Sequence, residues 1–440
     1  MTEQTPPVAI IGAGPIGLAA AAQLIRRGET PLIFEASDAV GNSVRQWQHV
    51  SMFSPWGFNT DKAAVALLHD AGWTHPPQDE IPTGGELVAR YLEPLAALPV
   101  LRSRIRFGAR VTAVTRAGFD KVRTEGRFVQ PFLLRVAAAG AETNIAARAV
   151  IDASGTWGSP NPAGADGLPA LGEREAADRI FYGIPNVLGA HRRRYAGKSV
   201  AVVGGGHSAL NALIELAALK AEVPQTRILW IMRKDKIGSV YGGEADDALP
   251  ARGALGSQAR QLVESGAVRI LSPFRISRIE PSADGALTLI GGQSGIEACV
   301  FAAELIVATG FRPDLAMLRE IRLTLDPWLE SSGTLGPLID PNLHSCGTVR
   351  PHGAGDLAHV EPGFFIVGMK SYGRAPTFLL ATGHEQVRSV VAALTGDTVG
   401  AARVELALPE TGVCSSRPLP LRDKSHVPVV ATSGCCGTAG

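Results

Sequence analysis

Twice in this chain a short apolar strand runs into a glycine-rich turn and then a helix. That repeat restricts it to folds built on dinucleotide-binding βαβ units. The first copy reads Val8-Ala-Ile-Ile11, then Gly12-Ala-Gly14-Pro15-Ile-Gly17, then an Ala-rich stretch from Leu18 to Arg27. A second strand, Pro31 to Phe34, ends at Glu35. Uninterrupted apolar runs of this length fit parallel strands covered on both faces. Gly12 permits a tight turn, Gly14 lets backbone approach a pyrophosphate, and Gly17 allows close packing of helix on strand. Pro15 opens the helix, whose first turn offers amide donors and a positive dipole end. Glu35 stands where an acid accepts hydrogen bonds from an adenosine ribose.

The second copy runs Ser199 to Val203, Gly204-Gly-Gly206-His207-Ser208-Ala209, a helix from Leu210 to about Lys220, and a strand Ile228 to Met232. Ala209 replaces the third glycine and is small enough for the same packing. His207 and Ser208 open the helix and join the cofactor-contact candidates. No acid follows the second strand; Arg233-Lys234 stands there instead, a pair suited to a 2′-phosphate, although a solvated strand end would read the same way.

Two such sites imply hydride traffic between a nicotinamide and a flavin. The expected fold is α/β, with two Rossmann-like domains. The first domain is split, about 1–158 and 311–398, the second, 159–310, is inserted into it, and 399–440 is a flexible tail. Alternating stretches near Arg110–Val114 and Phe132–Val136 predict a β-meander on the first unit. Two further apolar strands end at Ser154-Gly155 and Thr309-Gly310. An apolar strand, Gly363 to Val367, and a helical stretch from about Ala375 to Leu394 follow.

Composition excludes several classes. A net charge of +1 with 19% charged residues gives no general attraction to nucleic acid or anionic membrane. No stretch approaches the roughly 20 apolar residues of a membrane span. The N-terminus lacks a basic n-region, so a cytoplasmic location is expected. The oligomeric state is left open, a homodimer being the commonest arrangement.

With GAGPIG and Glu35, Ala153-Ser-Gly-Thr-Trp157, GGGHSA and Ala308-Thr-Gly-Phe-Arg-Pro-Asp314, the chain resembles the flavin-containing monooxygenases and related flavoproteins with two dinucleotide-binding domains, over about residues 1–395. The resemblance implies FAD in the first site, NADPH in the second, and crossovers at Ser154, Gly155, Thr309 and Gly310. The family's F-x-G-x-x-x-H-x-x-x-Y stretch has a counterpart in Phe181-x-Gly183 with His191-x-x-x-Tyr195, the histidine falling four residues late. His191 is therefore a catalytic candidate or a loop histidine. Gly368 and Lys370, in Gly368-Met-Lys-Ser-Tyr372-Gly-Arg374, fit near the ribityl chain or pyrophosphate, or simply start a helix. Tyr372 is a second catalytic candidate. Trp47 and the Ser51–Asn59 stretch either cover the flavin or form a buried aromatic cluster.

The five cysteines include no CxxC or CxxxxC pair. Disulfide reductases of this plan need a thiol pair at the flavin, so reduced flavin is expected to serve oxygen or substrate directly. The leading expectation is an NADPH-dependent, FAD-containing monooxygenase, acting through a flavin hydroperoxide on a small soft nucleophile, either a sulfur compound or a trivalent organoarsenical. The tail ends in Cys435-Cys436, thiols suited to soft, thiophilic ions. That ending resembles the tail of mercuric reductases, and the whole chain resembles flavoproteins found with arsenic resistance. The alternatives are a reductase or oxidase of a thiophilic metal(loid), or a non-enzymatic redox or metal-binding flavoprotein.

Overall fold

A computed structural model describes residues 5–235, 237–242, 244–247, 249–282, 285–293, 295–343, 349–376 and 378–406. Strand β1 (Val8–Ile11) is fully buried and lies between β2 (Pro31–Phe34) and β7 (Ala149–Asp152), with Ile10 opposite Ile33 and Ile151. β3 (Ile105–Arg106) extends the sheet beyond β2, and β16 (Phe364–Ile366) extends it beyond β7, all in parallel. The order β16-β7-β1-β2-β3 brings the chain back to its first sheet after the second glycine unit. Helix α1 (Pro15–Arg26) buries Leu18, Ala19 to Ala22 and Leu24 against this sheet and α4 (Leu380–Leu394). Truncating a leucine as buried as Leu18 to alanine costs about 2–5 kcal/mol.

The second half repeats the plan. β9 (Ser199–Val203) lies between β10 (Arg227–Ile231) and β15 (Glu304–Val307); β11 (Arg269–Leu271) and β8 (Ile180–Tyr182) complete a parallel sheet of order β11-β10-β9-β15-β8. Helix α2 (His207–Glu222) covers one face together with α3 (Pro250–Glu264). Each parallel sheet carries an antiparallel meander on its other face. β4 (Arg110–Arg116), β5 (Phe132–Ala138) and β6 (Ala141–Ala147) pack Val114, Phe132 and Leu134 onto Ile11, Phe34 and Phe364. β12 (Arg275–Pro281), β13 (Leu287–Gln293) and β14 (Ile296–Ala302) pack Ile279, Leu287 and Leu289 onto Ala201, Ile231 and Leu305.

The first meander agrees with the alternation in the sequence. The second meander and α3 are not anticipated by it, for identifiable reasons. β14 leaves Ile296 and Phe301 exposed, so its alternation has no clean polar face. α3 carries Gly253 and Gly256, where a Cβ would lie 1.9 Å from the Glu244 carbonyl and 1.8 Å from that of Tyr241; close packing overrides helix propensity there. The fold also runs past 398. Helix Thr398–Ala402 docks on α4, where Arg388 Nη1 donates to the Gly400 carbonyl at 2.8 Å. The remainder of the expected tail, with Cys414, Cys435 and Cys436, lies outside the described residues. No helix among the described residues is long and apolar enough to cross a membrane.

Candidate cofactor cleft

One cleft of about 1290 Å³ runs between the two halves. That exceeds the roughly 300–1,000 Å³ of a site for one drug-sized ligand. At one end lies the N-terminus of α1, at the other that of α2. Gly12 (φ +99°) makes its turn against the Ala153 carbonyl, which a Cβ would approach to 2.9 Å; Gly204 (φ +128°) does the same against that of Ala308, at 2.2 Å. A Cβ on Gly17 would sit 2.0 Å from the Gly12 carbonyl, which accounts for its glycine by packing alone.

Gly14 and Gly206 differ. Both have ordinary negative φ, −81° and −99°, and a Cβ on either would meet nothing within 4 Å. Nothing among the described residues requires glycine at these two positions, and both line the cleft. Each is the N-cap of its helix without a side-chain cap, and neither helix has an acid in its first turn. The open amides and dipole ends therefore face the cleft, the arrangement that binds phosphate.

Glu35 Oε2 accepts from the Ala13 amide at 2.8 Å, and Oε1 accepts from the Ser37 amide and hydroxyl at 2.9 and 2.7 Å. A carboxylate has about four acceptor positions, so capacity remains on the cleft side for a ribose hydroxyl. Arg233 and Lys234 line the other end, exposed, with Arg233 Nη1 donating to the Ala165 carbonyl at 2.9 Å. His207 lies against Phe53, ring centroids 5.0 Å apart. Burial, aided by the charge of Arg252 and opposed by Asp247, holds its imidazole below the ordinary histidine value, so it is neutral at pH 7.

The structure also brings Pro15, Trp47, Ser154, Gly155, Ser208, Thr309, Gly310, Gly368 and Lys370 to the cleft. Ala209 is fully buried beneath α2, the packing role read from its size. Lys370, expected near the ribityl chain or pyrophosphate, carries an ion pair at the cleft wall. Its ammonium donates to Asp152 Oδ2 at 2.7 Å and Ser154 Oγ at 3.0 Å, with lysine and aspartate both buried. Ser154 in turn donates its amide and hydroxyl to Asp152 Oδ1 at 3.1 and 2.6 Å. Asp152, missed in the sequence, thus fixes the turn after β7; its signal is an acid closing an otherwise apolar strand.

The two catalytic candidates are not brought to the cleft lining. His191 Nδ1 accepts from the Asn186 amide at 3.0 Å and its ring packs on Phe181, so it closes a loop. Tyr372 is buried between His352 and Phe378, and burial raises its phenol far above the ordinary value. Of the 51–59 stretch, Ser51 to Ser54 line the cleft while Trp56 is buried beneath it. The segments that pass between the halves lie side by side. The Asn161 amide donates to the Gly310 carbonyl at 2.9 Å, the Arg312 amide to that of Ser159 at 3.0 Å, and Thr309 Oγ1 to that of Asn161 at 2.8 Å. No cysteine lines the cleft among the described residues; Cys299 is exposed on β14.

Comparison with known proteins agrees with this architecture. Similar solved structures include the bacillithiol disulfide reductase of Bacillus cereus (19% identity, 89% of this chain and 99% of that one, TM-score 0.64). Others are the FAD-bound cadaverine monooxygenase DfoA of Erwinia amylovora (13%, 94% and 100%, TM-score 0.65) and the ornithine N-hydroxylase KtzI of Kutzneria, a complex with reduced FAD, NADP⁺ and ornithine (16%, 89% and 99%, TM-score 0.59). No curated protein sequence matches the chain. The profile of one family matches residues 9–334, through both glycine units and both crossovers, and the chain belongs to that family, the pyridine nucleotide-disulphide oxidoreductases.

Proposed function

We propose that the chain is an NADPH-dependent, FAD-containing monooxygenase that transfers one oxygen atom from O₂ to a small soft nucleophile, a sulfur compound or a trivalent organoarsenical. One observation carries this reading: a single cleft joins two phosphate-binding helix ends, yet no thiol lines it among the described residues. Among the described residues, electrons arriving from a nicotinamide then have no disulfide to pass to. The reaction balances with NADPH and a proton as reductant; one oxygen atom forms a bond to the lone pair of the soft atom, and the other leaves as water.

The residues fit the two groups. Gly14, the α1 amides and Glu35 would hold the pyrophosphate and ribose of FAD; Gly206, the α2 amides, Arg233 and Lys234 would hold NADPH and favour its 2′-phosphate. Bound FAD would supply the two-electron chemistry that links NADPH to oxygen. The protein's own part is to orient and to exclude water. Trp157 stacks on Phe311 at 4.6 Å and donates from Nε1 to Gln46 Oε1 at 2.8 Å, closing the wall between the halves. The Asp152–Lys370–Ser154 set holds the crossover turn beside it. In this reading the FAD domain comprises about 1–158 and 311–398, and the NADPH domain 159–310.

The test is NADPH oxidation by the purified protein, with and without air, and with and without methylarsenite or a thioether. Substrate-stimulated, oxygen-dependent NADPH loss with one oxygenated product per NADPH supports the reading. Turnover that needs no oxygen and yields reduced product would assign a reductase instead. Absence of anaerobic FAD reduction by NADPH would remove the two-cofactor scheme.

A further inference from the structure

The wall of the cleft is unevenly charged. Among its described residues the carboxylates are Glu35 and Asp314, and both already accept backbone amides, Asp314 from Ala316 at 2.9 Å. Its cations are more numerous, and most have assignable tasks. Lys370 is neutralised by Asp152. Arg233 and Lys234 follow β10, where a 2′-phosphate falls. Arg374 has no such task. It is exposed in the cleft, and among the described residues its side chain has no hydrogen-bond or ion-pair partner.

Its position is nonetheless fixed. Gly373 (φ +59°) could not carry a side chain, since a Cβ would lie 2.0 Å from the Leu329 carbonyl, and the Arg374 amide donates to that carbonyl at 2.7 Å. The next residue, Ala375, is fully buried. From this anchored point the guanidinium reaches across to Gly167, where a Cβ would meet Arg374 Nη2 at 3.8 Å and Arg312 Nη2 at 4.0 Å. Arg312 is itself held, donating from Nε to Asn161 Oδ1 at 2.9 Å and from Nη2 to the Gly167 carbonyl at 3.2 Å. Two guanidinium groups therefore converge on one glycine, and neither is paired with the neighbouring Asp166, whose Oδ1 accepts from the Leu168 amide at 3.2 Å. The adjoining wall is apolar, formed by Ala375, Phe378 and Leu380. A few fixed charges set in an apolar wall are the usual means of orienting a small ligand.

We propose that Arg374, with Arg312, is an anion-recognition site, so that the soft-atom substrate also carries a carboxylate or comparable anion. This rests on the oxygenation reading given above and narrows its substrate class. A planar guanidinium binds a carboxylate by two parallel hydrogen bonds, which would set the direction from which the soft atom enters.

The experiment titrates the FAD-loaded protein, without NADPH, with 3-(methylthio)propanoate and with its methyl ester, and reads the visible absorption of the flavin. The acid is expected to perturb the spectrum at about tenfold lower concentration or less than the ester. Arg374→Met should abolish that preference, and Arg374→Lys should keep part of it. Equal response to acid and ester, or response to neither, overturns the proposal. So does a preference unchanged in Arg374→Met while the NADPH concentration needed for anaerobic FAD reduction rises, because the arginine would then serve the nucleotide phosphate. Acid-selective binding without any oxygenated product leaves this site standing and removes the monooxygenase reading alone.

Discussion

Substituting Gly14 separates folding from cofactor binding in a way few positions allow. Gly14 has φ −81° and ψ −175°, a conformation open to alanine, and the new methyl meets none of the described residues within 4 Å. Alanine narrows the unfolded ensemble, a gain of about 0.4–1 kcal/mol. It is also a poorer N-cap than glycine, by an amount of the same order. The apo protein should therefore unfold within about 1 kcal/mol of wild type. The methyl nonetheless projects into the cleft where a pyrophosphate would lie on the α1 amides. Losing one or two hydrogen bonds to a charged group, at about 1.5–3 kcal/mol each, weakens FAD binding about a hundredfold. Gly17→Ala is the contrast: its methyl would fall 2.0 Å from the Gly12 carbonyl, so the helix must shift, and both stability and binding drop. Urea unfolding of the apo proteins and fluorescence titration with FAD give the two quantities. The reasoning is refuted if Gly14→Ala binds FAD as tightly as wild type, or if its apo form is destabilised like Gly17→Ala.

Other expectations follow from the same geometry. Lys370→Met strands the Asp152 carboxylate in the interior and should cost about 3–5 kcal/mol in chemical denaturation, most of it recovered by adding Asp152→Asn. Arg233→Ala with Lys234→Ala should lower the preference for NADPH over NADH in anaerobic flavin reduction by about ten- to a hundredfold, with the NADH rate little changed. Burial raises the Asp61 carboxyl from 3.8 to about 6, outweighing hydrogen bonds from Ala64 and Gln23. The folded state thus holds its proton more tightly than the unfolded chain. Stability is highest below about pH 4 on this account and falls by about 3 kcal/mol as the pH rises through 6. Asp61→Asn should flatten that slope in urea titrations between pH 4 and 7.

What was legible in the sequence depended on how locally each feature is determined. Gly17 is demanded by the Gly12 carbonyl within its own strand–turn–helix unit, and Gly12 and Gly204 by the positive φ of their own turns, so spacing located them, although the carbonyls of Ala153 and Ala308 that crowd the two turns come from distant strands. The same holds for Glu35, which closes onto Ala13 and Ser37 a short way along the chain. Lys370 is different: it lies 218 residues from Asp152, and only the return of β16 beside β7 brings the pair together. His191 carries a motif-like spacing, yet its ring nitrogen is taken by the Asn186 amide five residues away, a local competition that spacing does not reveal. Arg374 stands in the sequence only as the end of the Gly368 stretch; that its guanidinium has no partner carboxylate among the described residues is visible only in the fold. The second meander was hidden by an outer face that breaks the polar alternation at Ile296 and Phe301.

The paired crossovers give the molecule a double tether. A single linker lets two bodies swivel, whereas two strands hydrogen-bonded side by side, from Ser159 to Asn161 and from Gly310 to Arg312, resist twisting about their common axis. A protease cut in one strand would leave the halves joined by the other and by these bonds, so the fragments would stay together until denaturant was added. The spacing of the two halves is then held in part by these main-chain hydrogen bonds at the waist of the molecule. Loosening that waist would slow electron entry while leaving each nucleotide-binding half folded.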